Sequence, residues 1–236
     1  MNIRKPITFL SFALLLASPL AGQQPAASAG GTDHVALIKQ SLQKSAVALR
    51  QYQWVETTAL SVKGEEKSRT QASCYYGADG KVQKTPIGAP PAEDKKRGLR
   101  GKVAENKKEE ISASMKEAVA LVHQYIPPDP ARIQAAKDSG RLTLTPPDSK
   151  GNVVVVVKDY LKPGDSMTIV LNVATNQVAG VTVATFTDSA KDAVGLKVSF
   201  ASFPDGTVYP AKTQLDVASQ NLAVAIENTG YKKLGG

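Results

Sequence analysis

Residues Gln53 to Ile87 read QWVETTALSVKGEEKSRTQASCYYGADGKVQKTPI, three runs of strand-forming residues broken by Lys63-Gly64-Glu65-Glu66 and Ala78-Asp79-Gly80-Lys81. The pattern predicts three antiparallel strands joined by two tight turns. Gly64 at the first central position suits a type II′ turn, whose positive φ glycine adopts at no steric cost. That turn sets Val62 opposite Lys67, Val55 opposite Cys74 and Trp54 opposite Tyr75, with Lys63 facing Glu66 as a charge pair. The Asp79-Gly80 signal of a type I′ hairpin sets Tyr76 against Gln83 and Cys74 against Thr85. Both registers gather Val55, Thr57, Ala59, Ala72, Cys74, Tyr76, Thr85 and Ile87 on one face, expected to be buried, and leave Trp54, Leu60 and Val62 among the charges of the other. Pro86 has no amide hydrogen for a ladder, so the third strand ends there or lies at an edge.

Upstream, Arg4 and Lys5 precede an apolar run from Ile7 to Leu16 and the small residues Ala17 to Gly22, which reads as a cleaved signal peptide over 1–22. The run is too short to span a bilayer. Residues 23–31, rich in Ala, Gly and Gln, read as a disordered lead-in, and 32–236 as one domain. Export implies an oxidising compartment, yet Cys74 is the only cysteine, so no internal bridge forms and packing must hold the fold. On the apolar face and without a neighbouring histidine, Cys74 reads as a buried inert thiol. The net charge of +8 falls to +6 once Arg4 and Lys5 are removed, which favours acidic partners. For an exported chain these are phospholipid headgroups, anionic polysaccharide or an acidic protein rather than nucleic acid.

Val35, Ile38, Leu42, Leu49 and Tyr52 recur at helical spacing from Asp33 to Tyr52, an amphipathic helix laid on a sheet. Gly88 to Lys107, with Lys95, Lys96, Arg97, Arg100 and Lys102, reads as a basic loop. A second helix is predicted from a capping pair, Asn106 and Glu109, with Ile111, Met115, Ala118, Val122 and Ile126 along one face and Pro127-Pro128 stopping it. A third starts at N-cap Asp129 with Pro130 at its first position and ends at Gly140. Seven strands follow: 141–145, 152–160, 166–173, 177–187, 195–203, 207–217 and 222–229, a meander of consecutive antiparallel strands. Val153 to Val157 is apolar on both faces and predicts a central strand covered on both sides.

The expected fold is α+β, a large curved antiparallel sheet forming a half-open β-barrel with helices packed on its concave face. No nucleophile motif is present: Ser112, Ser114 and Ser166 lack a Gly-x-Ser-x-Gly setting, and Asp159, Asp165 and Asp188 read as turn residues. His34 and His123, the two histidines, sit in no ligand pattern, so neither metal nor cofactor is expected. The order of signal peptide, helix, three-strand unit, helical insert and meander resembles the LolA/LolB-like lipoprotein-sorting family. So do Leu142-Thr143-Leu144-Thr145-Pro146 leading into Val153 to Val157, and Met167 to Val173 ending in the turn at Ala174 to Asn176. The resemblance implies a non-catalytic periplasmic protein whose apolar hollow takes lipid or lipoprotein acyl chains. Its lining would be Val153, Val155, Val157, Ile169 and Leu171 from the sheet with Ile111, Met115, Val122 and Ile126 from the helix. The carriers' Arg-Pro followed by an aromatic-rich strand is missing, so no family functional residue carries over. The alternative expectation is an envelope interaction module with a filled core that docks an acidic partner through the basic loop 95–108.

Overall fold

The computed structural model of the chain describes residues 32–88 and 99–235, and within these the side chains from 39 to 88 and from 106 to 235. The expected signal peptide and lead-in, and Lys95, Lys96 and Arg97, lie outside the described residues. The element order is α1 Thr32–Leu49, β1 Tyr52–Val62, β2 Glu65–Tyr76, β3 Val82–Ile87, α2 Leu99–Val122, α3 Pro130–Asp138, β4 Leu142–Leu144, β5 Asn152–Lys158, β6 Ser166–Asn172, β7 Gln177–Phe186, β8 Ala193–Ser202, β9 Val208–Val217 and β10 Leu222–Lys233. All ten strands form one open antiparallel sheet in the order β3-β2-β1-β10-β9-β8-β7-β6-β5-β4. The expected curved α+β sheet is present, and its meander runs unbroken from β4 to β10. The N-terminal unit is stitched on by β1 pairing with β10, from Tyr52 opposite Lys233 to Val62 opposite Leu222.

The registers of the N-terminal unit differ from expectation by one residue. Lys63 (φ 54°) and Gly64 (φ 78°) are both left-handed, so the turn is type I′ with these two at its centre and Val62 faces Glu65. A bulge then opposes Ser61 to Glu66 and Leu60 to Ser68, leaving Lys67 over, and Trp54 comes opposite Cys74. A one-residue slip moves a whole side-chain set across the sheet. Tyr52, Trp54 and Glu56 are therefore buried, on the face that carries Leu60 and Val62, while Val55, Thr57 and Ala59 are only half-buried. The rings and leucine offer more apolar area than the valine and threonine set, so the chosen slip buries more. The expected Lys63–Glu66 pair is replaced by Lys67–Glu65 and Arg69–Glu66 along β2.

At the second turn only Gly80 (φ 74°) is left-handed. Gly77 N–H donates to Lys81 O at 2.8 Å, and the Asp79 carboxylate accepts from Lys81 N–H at 3.0 Å. This longer loop pairs Cys74 with Lys84 and Tyr76 with Val82. Cys74 is fully buried, as expected, but Thr85 and Ile87 are exposed. β3 is an edge strand, with Pro86 inside it, so the missing amide costs no ladder bond on its open side.

Helix boundaries move as well. α1 stops at Leu49, and Tyr52 opens β1 instead. α2 begins at Leu99, so residues 99–107, including Arg100 and Lys102, are helical rather than loop, and Asn106 lies inside the helix. The run Lys102-Val103-Ala104-Glu105-Asn106-Lys107-Lys108-Glu109-Glu110 is rich in good helix formers, and that outweighs one cap-like pair. α3 follows expectation: the Asp129 side chain accepts from Ala131 N–H at 2.9 Å, Pro130 occupies the first position, and Gly140 (φ 70°) ends the unit. β5 is not central. It lies one strand from the edge, beyond which only the three residues of β4 follow, and Val154 and Val156 on its outer face are half-buried. A valine run reports strand propensity, not how many strands lie beyond it.

The inner face carries Val155, Val157, Met167, Ile169, Val181, Val183, Val194, Leu196, Val198, Leu215, Val217 and Leu222, all buried. They pack with Ala118, Val119 and Val122 of α2, with Tyr125 and Ile126 just after it, and with Ala136 of α3 in one cluster. Each fully buried aliphatic side chain contributes about 1.5–3 kcal/mol, so this cluster rather than any cross-link holds the sheet to its helices.

Candidate functional site: the interior between sheet and helix

Strand alternation puts Val153, Val155 and Val157 on the face shared by Ile169 and Leu171, because Val153 pairs with Leu171 and Val155 with Ile169. The 3.6-residue period of α2 turns Ile111, Met115, Ala118 and Val122 toward that face. Val122, Ile126, Val155, Val157 and Ile169 are buried members of the core, while Ile111, Met115 and Leu171 are half-buried at its border and Val153 is half-buried beside Leu171. Leu60, Val62 and Val224 also sit half-buried at the border. Gln220 Nε2 donates to Glu110 Oε1 at 3.1 Å, which places the N-terminal half of α2 near the β9–β10 turn.

The other end of α2 is held by buried polar groups. Tyr125 Oη donates to Asp165 Oδ2 at 2.5 Å and lies 2.7 Å from Thr185 Oγ1. Asp165 is buried and accepts from the backbone N–H groups of Tyr160 (2.6 Å), Leu161 (3.1 Å) and Lys162 (2.9 Å). Tyr160 Oη accepts from Asp129 N–H at 2.6 Å, and its ring stacks on Tyr125 at 5.6 Å. Burial, and then the bond to Asp165, push the Tyr125 phenol above the usual tyrosine range, so it stays a donor. Asp165 is a turn residue, as the sequence suggests, but its partner Tyr125 lies 40 residues away and carries no local signal.

A second cluster lies on the same face of β1, at the opposite end of that strand from Leu60 and Val62. Trp54 stacks on Tyr231 (5.6 Å between ring centroids), Tyr231 meets Tyr209 (4.5 Å), Tyr209 stacks on Phe203 (4.5 Å) and Phe203 on Tyr52 (4.9 Å). Tyr76 joins at 5.5 Å from Trp54, whose indole N–H donates to Asn228 Oδ1 at 3.1 Å. Glu56, two residues along β1 from Trp54, pairs with Lys84 at 2.5 Å, largely shielded from water. Burial, reinforced by the Glu56 charge, pushes the Cys74 thiol up to about 11, so it is not a nucleophile near neutral pH. The sequence reading placed Trp54 on the outer face and missed this cluster, because Phe203, Tyr209 and Tyr231 reach it only through the β1–β10 seam.

Among the described residues no three His, Cys, Asp or Glu side chains gather to hold a metal ion, and no helix is long and apolar enough to cross a membrane. His34 has no described side chain. Of the expected basic contact, residues 99–108 belong to α2 and the rest lies outside the described residues.

No family model matches the sequence, and no curated protein is significantly similar to it. Among solved structures the chain is similar to a LolA superfamily protein from Nitrosomonas europaea (11% identity, TM-score 0.37, covering 84% of this chain and 94% of that one). It is similar to a DUF1329 family protein from Desulfovibrio piger (6%, TM-score 0.36, covering 87% and 93%). It is also similar to an outer membrane lipoprotein-sorting protein domain from Vibrio parahaemolyticus (8%, TM-score 0.35, covering 83% and 92%). Each is a likeness of overall structure alone.

Proposed function

We propose that this protein is an exported, non-catalytic binder of lipid or lipoprotein acyl chains, a carrier or sensor, with its ligand held between the inner face of the sheet and α2. The observation that carries this reading is the uneven fastening of α2. Its C-terminal end is fixed by Val122, Tyr125 and Asp165, while Ile111 and Met115 in its N-terminal half are only half-buried, as are Leu60, Val62 and Val224 on the sheet. Gln220–Glu110 is a hydrogen bond that an aliphatic chain extending that apolar border would meet. At about 0.8 kcal/mol per buried methylene, a chain of roughly sixteen carbons brings on the order of 10 kcal/mol before ordering costs. Ile111, Met115, Val153, Leu171 and their buried neighbours Val122, Ile126, Val155, Val157 and Ile169 form the proposed lining.

The test is titration of the delipidated protein with a fluorescent fatty-acyl probe. Saturable uptake near one equivalent, weakened at least ten-fold by Met115→Asp in a protein that still melts cooperatively, is expected. Uptake that never saturates, or that Met115→Asp leaves unchanged, would sink the proposal.

A further inference from the structure

The aromatic end of the sheet is ringed by cations that come from three separate segments of the chain. Arg50, just after α1, lays its guanidinium against the β2–β3 turn, 3.4 Å from the position a Cβ would take at Gly80. Lys81 follows in the same turn. Lys233 stands 5.8 Å from the Tyr52 ring centroid, next to Lys232 in the last strand, and Leu234 N–H donates to Gln51 O at 2.7 Å, which ties the strand end to the start of β1. Lys44 on α1 approaches from the side of the 203–207 turn: Thr207 first, then Lys233 and Lys44, hold the Asp205 carboxyl below its ordinary range. All five cations are exposed, and none pairs with a carboxylate of the described residues. Lys67, Arg69, Arg132 and Lys212 each have such a partner, whereas Lys137, Lys158 and Lys191 at the far end of the sheet are likewise without an ion pair among the described residues but stand away from the aromatic cluster. Asp79 and Asp205 are the acidic residues in the neighbouring turns, so the rim keeps a net charge of +3 (five cations less two carboxylates).

Behind this rim stand Tyr52, Trp54, Tyr76, Phe203, Tyr209 and Tyr231, four of them phenols and one an indole, with Leu234 exposed at the edge. Amphipathic rings behind unpaired ammonium and guanidinium groups match the layering of a bilayer interface, where phosphates lie outside and the ring-favouring zone just beneath. We propose that this end of the sheet docks on an anionic phospholipid surface. The occupant follows from charge complementarity: five flexible cations spread over three segments meet a laterally uniform layer of phosphates better than they meet one fixed acidic epitope. The proposal concerns a surface distinct from the interior and does not require that the interior bind a ligand.

Co-sedimentation with vesicles tests it, using phosphatidylcholine alone and phosphatidylcholine mixed with phosphatidylglycerol at about three to one. Binding is expected only to the anionic vesicles, falling steeply between about 50 and 500 mM salt. The triple variant Arg50→Gln, Lys81→Gln, Lys233→Gln should weaken partitioning about a hundred-fold, each lost cation counting roughly five-fold. Asp205→Asn keeps the turn's acceptor oxygen and should strengthen partitioning about five-fold by the same rule. Lys137→Gln, Lys158→Gln, Lys191→Gln together, at the far end of the sheet, should change it little. Melting curves of each variant separate misfolding from lost contact. No binding to anionic vesicles at low salt, or equal losses from the two triple variants with folding intact, would overturn the proposal; soluble-probe uptake, measured in parallel, reads the interior alone.

Discussion

Replacing Tyr125 by Phe removes one oxygen from a buried network and leaves the ring. Two contacts of the phenol oxygen are lost, the 2.5 Å bond to the Asp165 carboxylate and the 2.7 Å bond with Thr185 Oγ1, while the stack on Tyr160 at 5.6 Å and the contacts of the fully buried ring persist. Hydrogen bonds to charged groups contribute about 1.5–3 kcal/mol net, so the expected loss is about 2 kcal/mol. Asp165 keeps its three backbone donors, which argues against a larger penalty. For a chain of this size that corresponds to a melting temperature lower by about 4–8 °C. Urea unfolding followed by circular dichroism should show a lower midpoint with an unchanged slope. The pH dependence supplies a second reading. The folded phenol has a raised pKa, so its contribution is complete below the unfolded value of about 10 and is lost as pH rises from there toward the folded value. The wild-type protein therefore loses stability faster than Tyr125→Phe above about pH 10, and the gap between them narrows. A loss below about 0.5 kcal/mol, or a gap that stays constant through pH 11, would refute the assignment of this network as the anchor of α2.

Three further outcomes are expected. Cys74, with its thiol pushed up to about 11 and no exposed surface, should resist a thiol reagent at pH 8 in the folded protein and react at once in denaturant; fast labelling of folded protein would contradict the register that buries it. A double-mutant cycle on Glu56→Gln and Lys84→Met should give a coupling of about 1–3 kcal/mol, since the pair is shielded; a value near zero would place it in free solvent. Gly101→Ala should raise stability by about 0.5–1 kcal/mol if residue 101 is helical, whereas a loop predicts no such gain, so chemical denaturation of this variant decides between the two descriptions of the basic segment.

What could be read from the sequence depended on whether the signal was local. The seven later strands follow from turn residues such as Gly164, Asn176 and Gly206, whose left-handed backbones punctuate the chain, and α3 follows from Asp129 and Pro130. The apolar stripe from Ile111 to Ile126 and the facing Val155, Val157 and Ile169 were legible because period 3.6 and period 2 each leave a mark. The register of β1 on β2 was not. Whether Lys63-Gly64 or Gly64-Glu65 forms the centre of the turn is a choice of one residue, settled by the bulge at Lys67 and by what lies across the sheet from Trp54. Likewise Glu56, ordinary in sequence, is buried because Lys84 comes from a strand two places over, and Asp165 acquires its phenol only once α2 has docked. Non-local pairings of this kind leave no trace in a window of a dozen residues.

The seam between β1 and β10 also orders events in time. Trp54 and its partner Asn228 are 174 residues apart, so the open edge of β1 has no strand to pair with until the final strand has been made. At synthesis rates of about 5–20 residues per second, that interval is roughly ten to thirty seconds. Throughout it β1 keeps an unpaired strand edge, a state that favours capture by a holding chaperone. Sheet completion is thus a last-strand event: the chain commits to its fold from its end rather than from its beginning.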